Sequence, residues 1–314
     1  MTEQHAHVAV VVLNWNAREE TLACLESLAA SDWPTMTVIA VDNGSSQDIR
    51  SAVSERFPEA IIVCNSANLG FAGGMNAGLR RSLELGADYV LLLNNDTLVD
   101  TAMVRLLVLA AGSRPDAGIV CPLVLYRDAP DVILSAGLRC NLRRGYQGRA
   151  LGMGARVSGE FTGVRPVDAP SGAAMLVSAE VVRNVGMLDE DLFLYGEDVE
   201  WSQRMRAAGL FVYVAADARL WHGLSVSSGG TYSPVGAYYQ TRNSFVVSAR
   251  YAPLRGMRAF VRSADILFAN LAHTRRARRP LVNVRAVFAG WRDYLRGRLG
   301  PGPPGLLPPE GERG

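Results

Sequence analysis

Val8-Ala-Val-Val-Val-Leu13 is an unbroken apolar run closed by Asn14, the pattern of a strand buried on both faces of a parallel sheet. After it, Leu22, Leu25, Leu28 and Ala29 recur at helical spacing, with Asn16 placed to cap and Glu19 three residues on, so a helix is predicted. The alternation continues with a strand at 37–41 ending in Asp42, a short helix at 51–57 and a strand at 60–64. A helix at 75–85 and a fourth strand at 89–93 follow, the strand ending in Asn94-Asn95-Asp96. Strands and helices alternating at this interval predict right-handed βαβ units and an open, mostly parallel central sheet flanked by helices, an α/β fold. Ligands bind beyond the carboxyl ends of such strands, where Asn14, Asn16, Asp42, Asn43, Asn68 and 94–96 collect.

The second half is less regular. Residues 167–177 read as sheet interrupted at Ser171-Gly172, 179–185 as a short helix, 199–208 as a helix ending at Gly209, and 212–215 and 219–221 as two strands. From Tyr238 onward the pattern is helical. Val284, Val287, Phe288, Trp291 and Leu295 fall on one apolar face, with Arg285, Arg292 and Arg296 on another. These patterns divide the chain into a sheet-bearing unit over 1–240, a helical extension over 241–299 and a Pro/Gly-rich tail over 300–314 that is expected to be disordered.

Composition changes this picture in two places. No apolar run approaches the roughly 18 to 20 residues of a spanning helix and the first strand lacks a signal-peptide pattern, so a cytoplasmic protein is expected. The net charge of +2 hides an asymmetry: residues 242–298 carry thirteen arginines against Asp265 and Asp293, a balance of +11. Such a segment suggests an anionic partner. With an apolar face beside it, the segment is expected to hold the protein peripherally at the inner face of a membrane, the alternatives being packing on the main unit or a homodimer seam. Nucleic acid is not expected, since no binding module accompanies the charge. The four cysteines are far apart with no C-x-x-C pair and read as buried thiols.

Three clusters carry candidate chemistry. Asn94-Asn95-Asp96 delivers polar groups from a strand end, and Asp96 is a hard oxygen ligand suited to Mg²⁺ or Mn²⁺; a polar turn is the plainer explanation. The glycine-rich stretch from Asn68 and Gly70 to Gly78 either brings backbone N–H groups close to a ligand or packs a helix tightly; it matches neither a Walker loop nor a dinucleotide fingerprint. Asp198, in Gly196-Glu-Asp-Val-Glu200, falls at a predicted helix start, where a carboxylate is either a cap or a general base. His222 lies after the 219–221 strand, either structural or able to complete the shell of a metal held by Asp96.

Taken in order, Val11-Val-Leu-Asn-Trp-Asn16, Val41-Asp-Asn-Gly-Ser45, Asn68 to Asn76, Asn94 to Asp96, Ser171-Gly-Ala-Ala-Met175, Gly196 to Glu200, His222 and Tyr238-Tyr-Gln-Thr-Arg-Asn243 resemble the family 2 glycosyltransferases of GT-A fold. The likeness is strongest to the branch containing bacterial rhamnosyltransferases. It implies that 1–100 bind a nucleotide-sugar and 101–240 form the acceptor and catalytic part. By resemblance, Asp42 would bond the base or ribose with Asn14 and Asn16 lining the same pocket. Asn68 and Gly70 would face base and ribose, and Asn94, Asn95 and Asp96 would stand at the Asp-x-Asp motif. The first Asp of that motif is Asn94 here, so Asp96 would carry the metal, with His222 on metal or diphosphate and Asp198 as the base.

The reaction implied is inverting, metal-dependent transfer of a sugar, rhamnose from dTDP-rhamnose or a sugar from a UDP donor, to a glycan or polyprenyl-linked acceptor in cell-envelope polysaccharide synthesis. Two other readings stand beside it. A nucleotidyltransferase would place a basic, glycine-rich loop near the first strand, where 11–16 has none. A non-catalytic nucleotide-sugar-binding protein would need no base at Asp198.

Overall fold

The structure, a computed structural model, describes residues 5–223, 233–275, 277 and 279–305. The part of the predicted disordered tail from 306 to 314 lies outside the described residues. Chain order begins β1 (Val8–Asn14), α1 (Arg18–Ala29), β2 (Met36–Asn43), α2 (Arg50–Arg56), β3 (Ile61–Asn65), α3 (Gly70–Glu84) and β4 (Tyr89–Asn94). It continues through β5 (Thr97–Val99), α4 (Met103–Gly112), β6 (Ala117–Tyr126), β7 (Ala129–Ser135), β8 (Leu138–Asn141), β9 (Tyr146–Ala150), β10 (Val164–Val167) and β11 (Ala174–Ser178). Next come α5 (Ala179–Val185), α6 (Glu197–Ala207), β12 (Phe211–His222), α7 (Pro234–Tyr251), α8 (Gly256–Thr274) and α9 (Pro280–Leu295).

Ten strands form one twisted sheet in the order β10-β12-β6-β11-β4-β1-β2-β3, with β5 on β12 and β7 on β6. The strands from β4 to β3 in that order are all parallel, while β11 enters antiparallel between β4 and β6. Register explains the collection of polar residues: Asn14 pairs with Asp42 and Leu13 with Asn94, so three strand ends stop along one edge. The apolar run of β1 serves two cores. Val8, Val10 and Val12 pack with Leu22, Leu25 and Leu28 of α1 on one face. Ala9 and Val11 pack with Met75 and Leu79 of α3 on the other.

Three elements differ from expectation. Helix α3 begins at Gly70, five residues before the predicted 75, although each glycine costs a helix roughly 1 kcal/mol against alanine. The glycines are there for packing: a Cβ on Gly78 would lie 2.2 Å from Val11 Cγ1, and one on Gly74 2.5 Å from Leu13 Cδ1. The strands predicted at 212–215 and 219–221 are one strand, β12, whose pairing with β6 slips between Ala215 and Arg219. The single apolar face predicted on α9 is divided. Val287 is buried with Ala286 in a cluster with α7, while Phe288 and Leu295 are exposed. The face buried on α7 turns on Gly290, where a Cβ would meet Tyr238 O at 2.5 Å.

Candidate active site

A cleft opens at the carboxyl edge of β1 and β4. Leu13, Trp15, Asn43, Asn68 and Gly70 form one wall, Asn94, Asn95 and Asp96 the floor, and Ser171, Gly172, residues 193–198 and Val235 the far side. Of the residues singled out in the sequence, Asn68, Gly70, Asn94, Asn95, Asp96 and Asp198 are thus brought together.

Asn14, Asn16 and Asp42 do not line this cleft; they build the wall behind it. Asn14 donates through Nδ2 to Ser45 Oγ at 2.9 Å and accepts through Oδ1 from Ala17 N and Thr21 Oγ1. Asn16, in the left-handed region at φ 52°, accepts from Ser46 N at 2.7 Å, and Asp42 accepts from Ser45 N at 3.0 Å. The loop after β1 and the loop after β2 are therefore one hydrogen-bonded unit. Asn43 organises the adjoining wall: its Nδ2 donates to Asn68 Oδ1 and Gly70 O, and its Oδ1 accepts from Asn65 Nδ2 and Leu69 N. The α3 start does not offer its first amides to the cleft, because Phe71 N and Ala72 N donate to Phe193 O.

Asp96 and His222 are placed by the β5–β12 ladder, which pairs His222 with Thr97. Nε2 of His222 lies 3.1 Å from Asp96 Oδ1 and 3.4 Å from Asn94 Nδ2. Both side chains are nine-tenths buried, and Asn94 Oδ1 and His222 Nδ1 have no hydrogen-bond partner within the described residues. No cluster of three or more His, Cys, Asp or Glu able to hold a metal exists among the described residues. A carboxylate, an imidazole and an orphaned amide oxygen fit a divalent ion that takes its remaining ligands from a bound diphosphate. Asn95 contributes less, since its Nδ2 donates to Thr21 Oγ1 on α1.

Asp198 stands in the first turn of α6 and accepts from Val199 N at 2.8 Å. Opposite it is Gly172, at φ +76°, where a Cβ would lie 3.0 Å from Asp198 Oδ2. Burial raises the Asp198 carboxyl above its ordinary range. It raises the neighbouring Glu197 further, because the charge on Asp198 adds to the desolvation. Glu197 Oε2 has no partner among the described residues and Glu197 also lines the cleft.

The loop leading to Asp198 is strained, with positive φ at Phe193, Tyr195 and Gly196. It is held by two residues of α7 that sequence patterning left without a role. Asn243 Nδ2 lies 2.9, 2.9 and 2.6 Å from the carbonyls of Leu192, Leu194 and Tyr195. Arg242 is fully buried and donates to Leu192 O, to Asn243 Oδ1 and to Gly300 O, with its guanidinium over the rings of Tyr238 and Tyr239. Glu200, two residues after the aspartate, is ion-paired to Arg250 of α7 at 3.4 Å. The boundary expected at 240 thus falls inside the helix that fixes the site. The consecutive polar residues Arg242 and Asn243 within α7 were the available signal, but they say nothing about which carbonyls they meet.

The family model described as glycosyltransferase-like family 2 matches residues 5–243. The chain belongs to that family. It is 28% identical over 302 residues to the N-acetylglucosaminyl-diphospho-decaprenol L-rhamnosyltransferase of Mycobacterium tuberculosis, covering 88% of this chain and 98% of that one. It is 25% identical over 250 residues to the dTDP-rhamnosyl transferase RfbF of Shigella flexneri, covering 77% and 80%. Among solved structures, GalNAc-T7 with UDP, GalNAc and Mn²⁺ superimposes with a TM-score of 0.61 at 15% identity, covering 83% of this chain and 54% of that chain. The mannosyltransferase PcManGT of Pyrobaculum calidifontis, with GDP-Man and Mn²⁺, gives 0.55 at 16% identity, covering 93% and 83%. The fold is the GT-A fold of glycosyltransferases, and this family 2 protein is a glycosyltransferase.

Proposed function

We propose that this family 2 enzyme transfers a sugar, with inversion, from a nucleoside-diphosphate donor to an acceptor hydroxyl, using Asp198 as base. The observation that carries the reading is that Asp198, in the first turn of α6, and Asp96, two residues after β4, line the same cleft. Asp198 removes the proton of the attacking hydroxyl as the new glycosidic bond forms at the anomeric carbon and the bond to the diphosphate breaks. Asp96 and His222, with Asn94 beside them, would hold a Mg²⁺ or Mn²⁺ ion whose chemistry is to offset charge on the departing diphosphate. The nucleotide would lie along the Asn43–Asn68 wall, with Asp42, Asn14 and Asn16 shaping it from behind.

The finer reading is a rhamnosyltransferase that takes dTDP-rhamnose and acts on a lipid-linked glycan of the cell envelope. Its support is the pair of rhamnosyltransferase relatives, one of which matches over almost its whole length. No helix among the described residues is long and apolar enough to cross a membrane, so a lipid-linked acceptor calls for peripheral contact with the membrane's inner face. The test is a panel of dTDP-, UDP- and GDP-sugars, read as donor hydrolysis and as transfer to a polyprenyl-diphosphate sugar. Preference for dTDP-rhamnose is the expected result. Preference for a UDP-sugar would overturn the donor, and binding without turnover of any donor would leave a nucleotide-sugar-binding protein.

A further inference from the structure

Helix α8 turns its apolar side outward. Met257, Phe260 and Phe268 are 74%, 70% and 75% exposed and Val261 is half exposed, whereas Ile266 is buried on the opposite side. Positions 257, 260, 261 and 268 share one helical stripe. Single exposed apolar residues are ordinary, but an outward stripe of this size marks an interaction surface.

Arginines border the stripe from two distant parts of the chain. Arg255 and Arg258 flank the start of α8, and both are exposed. Arg143 and Arg144, also exposed, come from the turn between β8 and β9. That turn is seated on α8: Gly145 has φ +77°, and a Cβ there would lie 2.1 Å from Ile266 Cγ1. Arg143, Arg144 and Arg258 consequently share a shallow groove with Met257 and Val261, and Asp265 is the one acid that lines it.

We propose that this face of α8, together with the Arg143-Arg144 turn, seats the protein on an anionic phospholipid surface. Phe260 and Phe268 enter the acyl boundary while the arginines meet headgroup phosphates. Charge decides between occupants. In a twofold contact the same patch faces itself, so a second copy would bring arginines against arginines, whereas anionic lipid complements them. The proposal rests on the reading that the acceptor is lipid-linked, and it moves the contact from the α9 face expected in the sequence to α8 and a hairpin outside the basic segment.

The experiment is co-sedimentation of the full chain with phosphatidylcholine vesicles and with phosphatidylcholine–phosphatidylglycerol vesicles, at low and high salt. It includes the variants Phe260→Ser/Phe268→Ser and Arg143→Gln/Arg144→Gln/Arg258→Gln. The five substituted side chains are all exposed, and vesicle-free donor hydrolysis reports that each variant is folded. The unmodified chain is expected to sediment only with anionic vesicles and to be released by salt. The arginine variant should bind roughly 10²-fold more weakly, and the phenylalanine variant roughly tenfold or more. Recovery of the unmodified chain in the supernatant under all conditions overturns the proposal, as does unchanged binding in both variants. A dimer in sedimentation velocity that the phenylalanine variant converts to monomer, without lipid binding, also overturns it and makes the stripe a seam between copies. Lipid binding by a protein that hydrolyses no donor would leave the surface in place and remove the glycosyl-transfer reading instead.

Discussion

At the residue scale, the proposed chemistry depends on one carboxylate whose ionisation is opposed by burial. Asp198 sits where the first turn of α6 favours the anion and burial opposes it, and Gly172 puts no side chain against its Oδ2. Asp198→Asn preserves shape and removes the proposed base, so transfer should fall at least about 10²-fold with donor affinity retained. Single-turnover transfer and calorimetric donor binding check the two halves. Asp198 and Glu197 titrate as a pair, both raised by burial, with Glu197 the higher because the charge on Asp198 adds to its desolvation. The base is active only when ionised, so kcat should rise with pH through the lower step. The upper step adds a second negative charge next to the first in the cleft proposed to receive a diphosphate, so kcat/KM for the donor should fall above it. Glu197→Gln removes the second ionisation; its pH profile should keep the acid limb and lose the alkaline one, and persistence of the alkaline fall would assign it to another group. Asp96→Ala should weaken both metal and donor binding, with Asn94→Ala milder, since an amide is the poorer ligand. Full transfer in excess chelator would remove the ion from the mechanism.

At the element scale, the strained loop 192–196 and the helices around it are a single device. A backbone with positive φ at two aromatic residues persists only where neighbours fix it, and here one Asn243 amide reaches three of its carbonyls. Asn243→Ala leaves those acceptors buried without that donor. The expected cost is about 1–3 kcal/mol for such loss, measured as a lower urea midpoint. Because the loop ends at Glu197 and Asp198, kcat should drop roughly tenfold or more even in the folded fraction, as misplacement of a reacting group does. A variant that loses stability but keeps kcat would limit the clamp to holding the fold.

At the scale of the whole molecule, the helical extension is part of the catalytic body. Arg242 links α7 to the loop and to Gly300, Tyr238 donates to Asp293 of α9 at 2.9 Å, and Phe193 stacks on Tyr239. A chain ending at 240 would cut α7 after the tyrosines, remove α8 and α9, and delete both Arg242 and Asn243. It should be recovered as aggregate or with a non-cooperative unfolding transition, whereas the chain ending at 305 should unfold cooperatively. Circular dichroism against urea distinguishes them.

The parallel part of the sheet, the helices between its strands and the polar residues at its edge follow from local pattern. An apolar run of β1's length with Asn14 behind it has few other solutions, and the ends at Asp42 and Asn94 align because parallel register carries them there. The positions of Asp96, Asp198 and His222 at or next to the ends of regular elements were legible for the same reason. Tertiary structure alone decided what pattern cannot encode. Whether Asn14 faces ligand or Ser45, whether glycines of α3 meet phosphate or Val11, and which side of α9 is covered all depend on the element brought opposite. A side chain's polarity sets what it needs, but its partner comes from residues far away in the chain. Asn243 and the loop 192–196 lie about fifty positions apart, and only packing joins them.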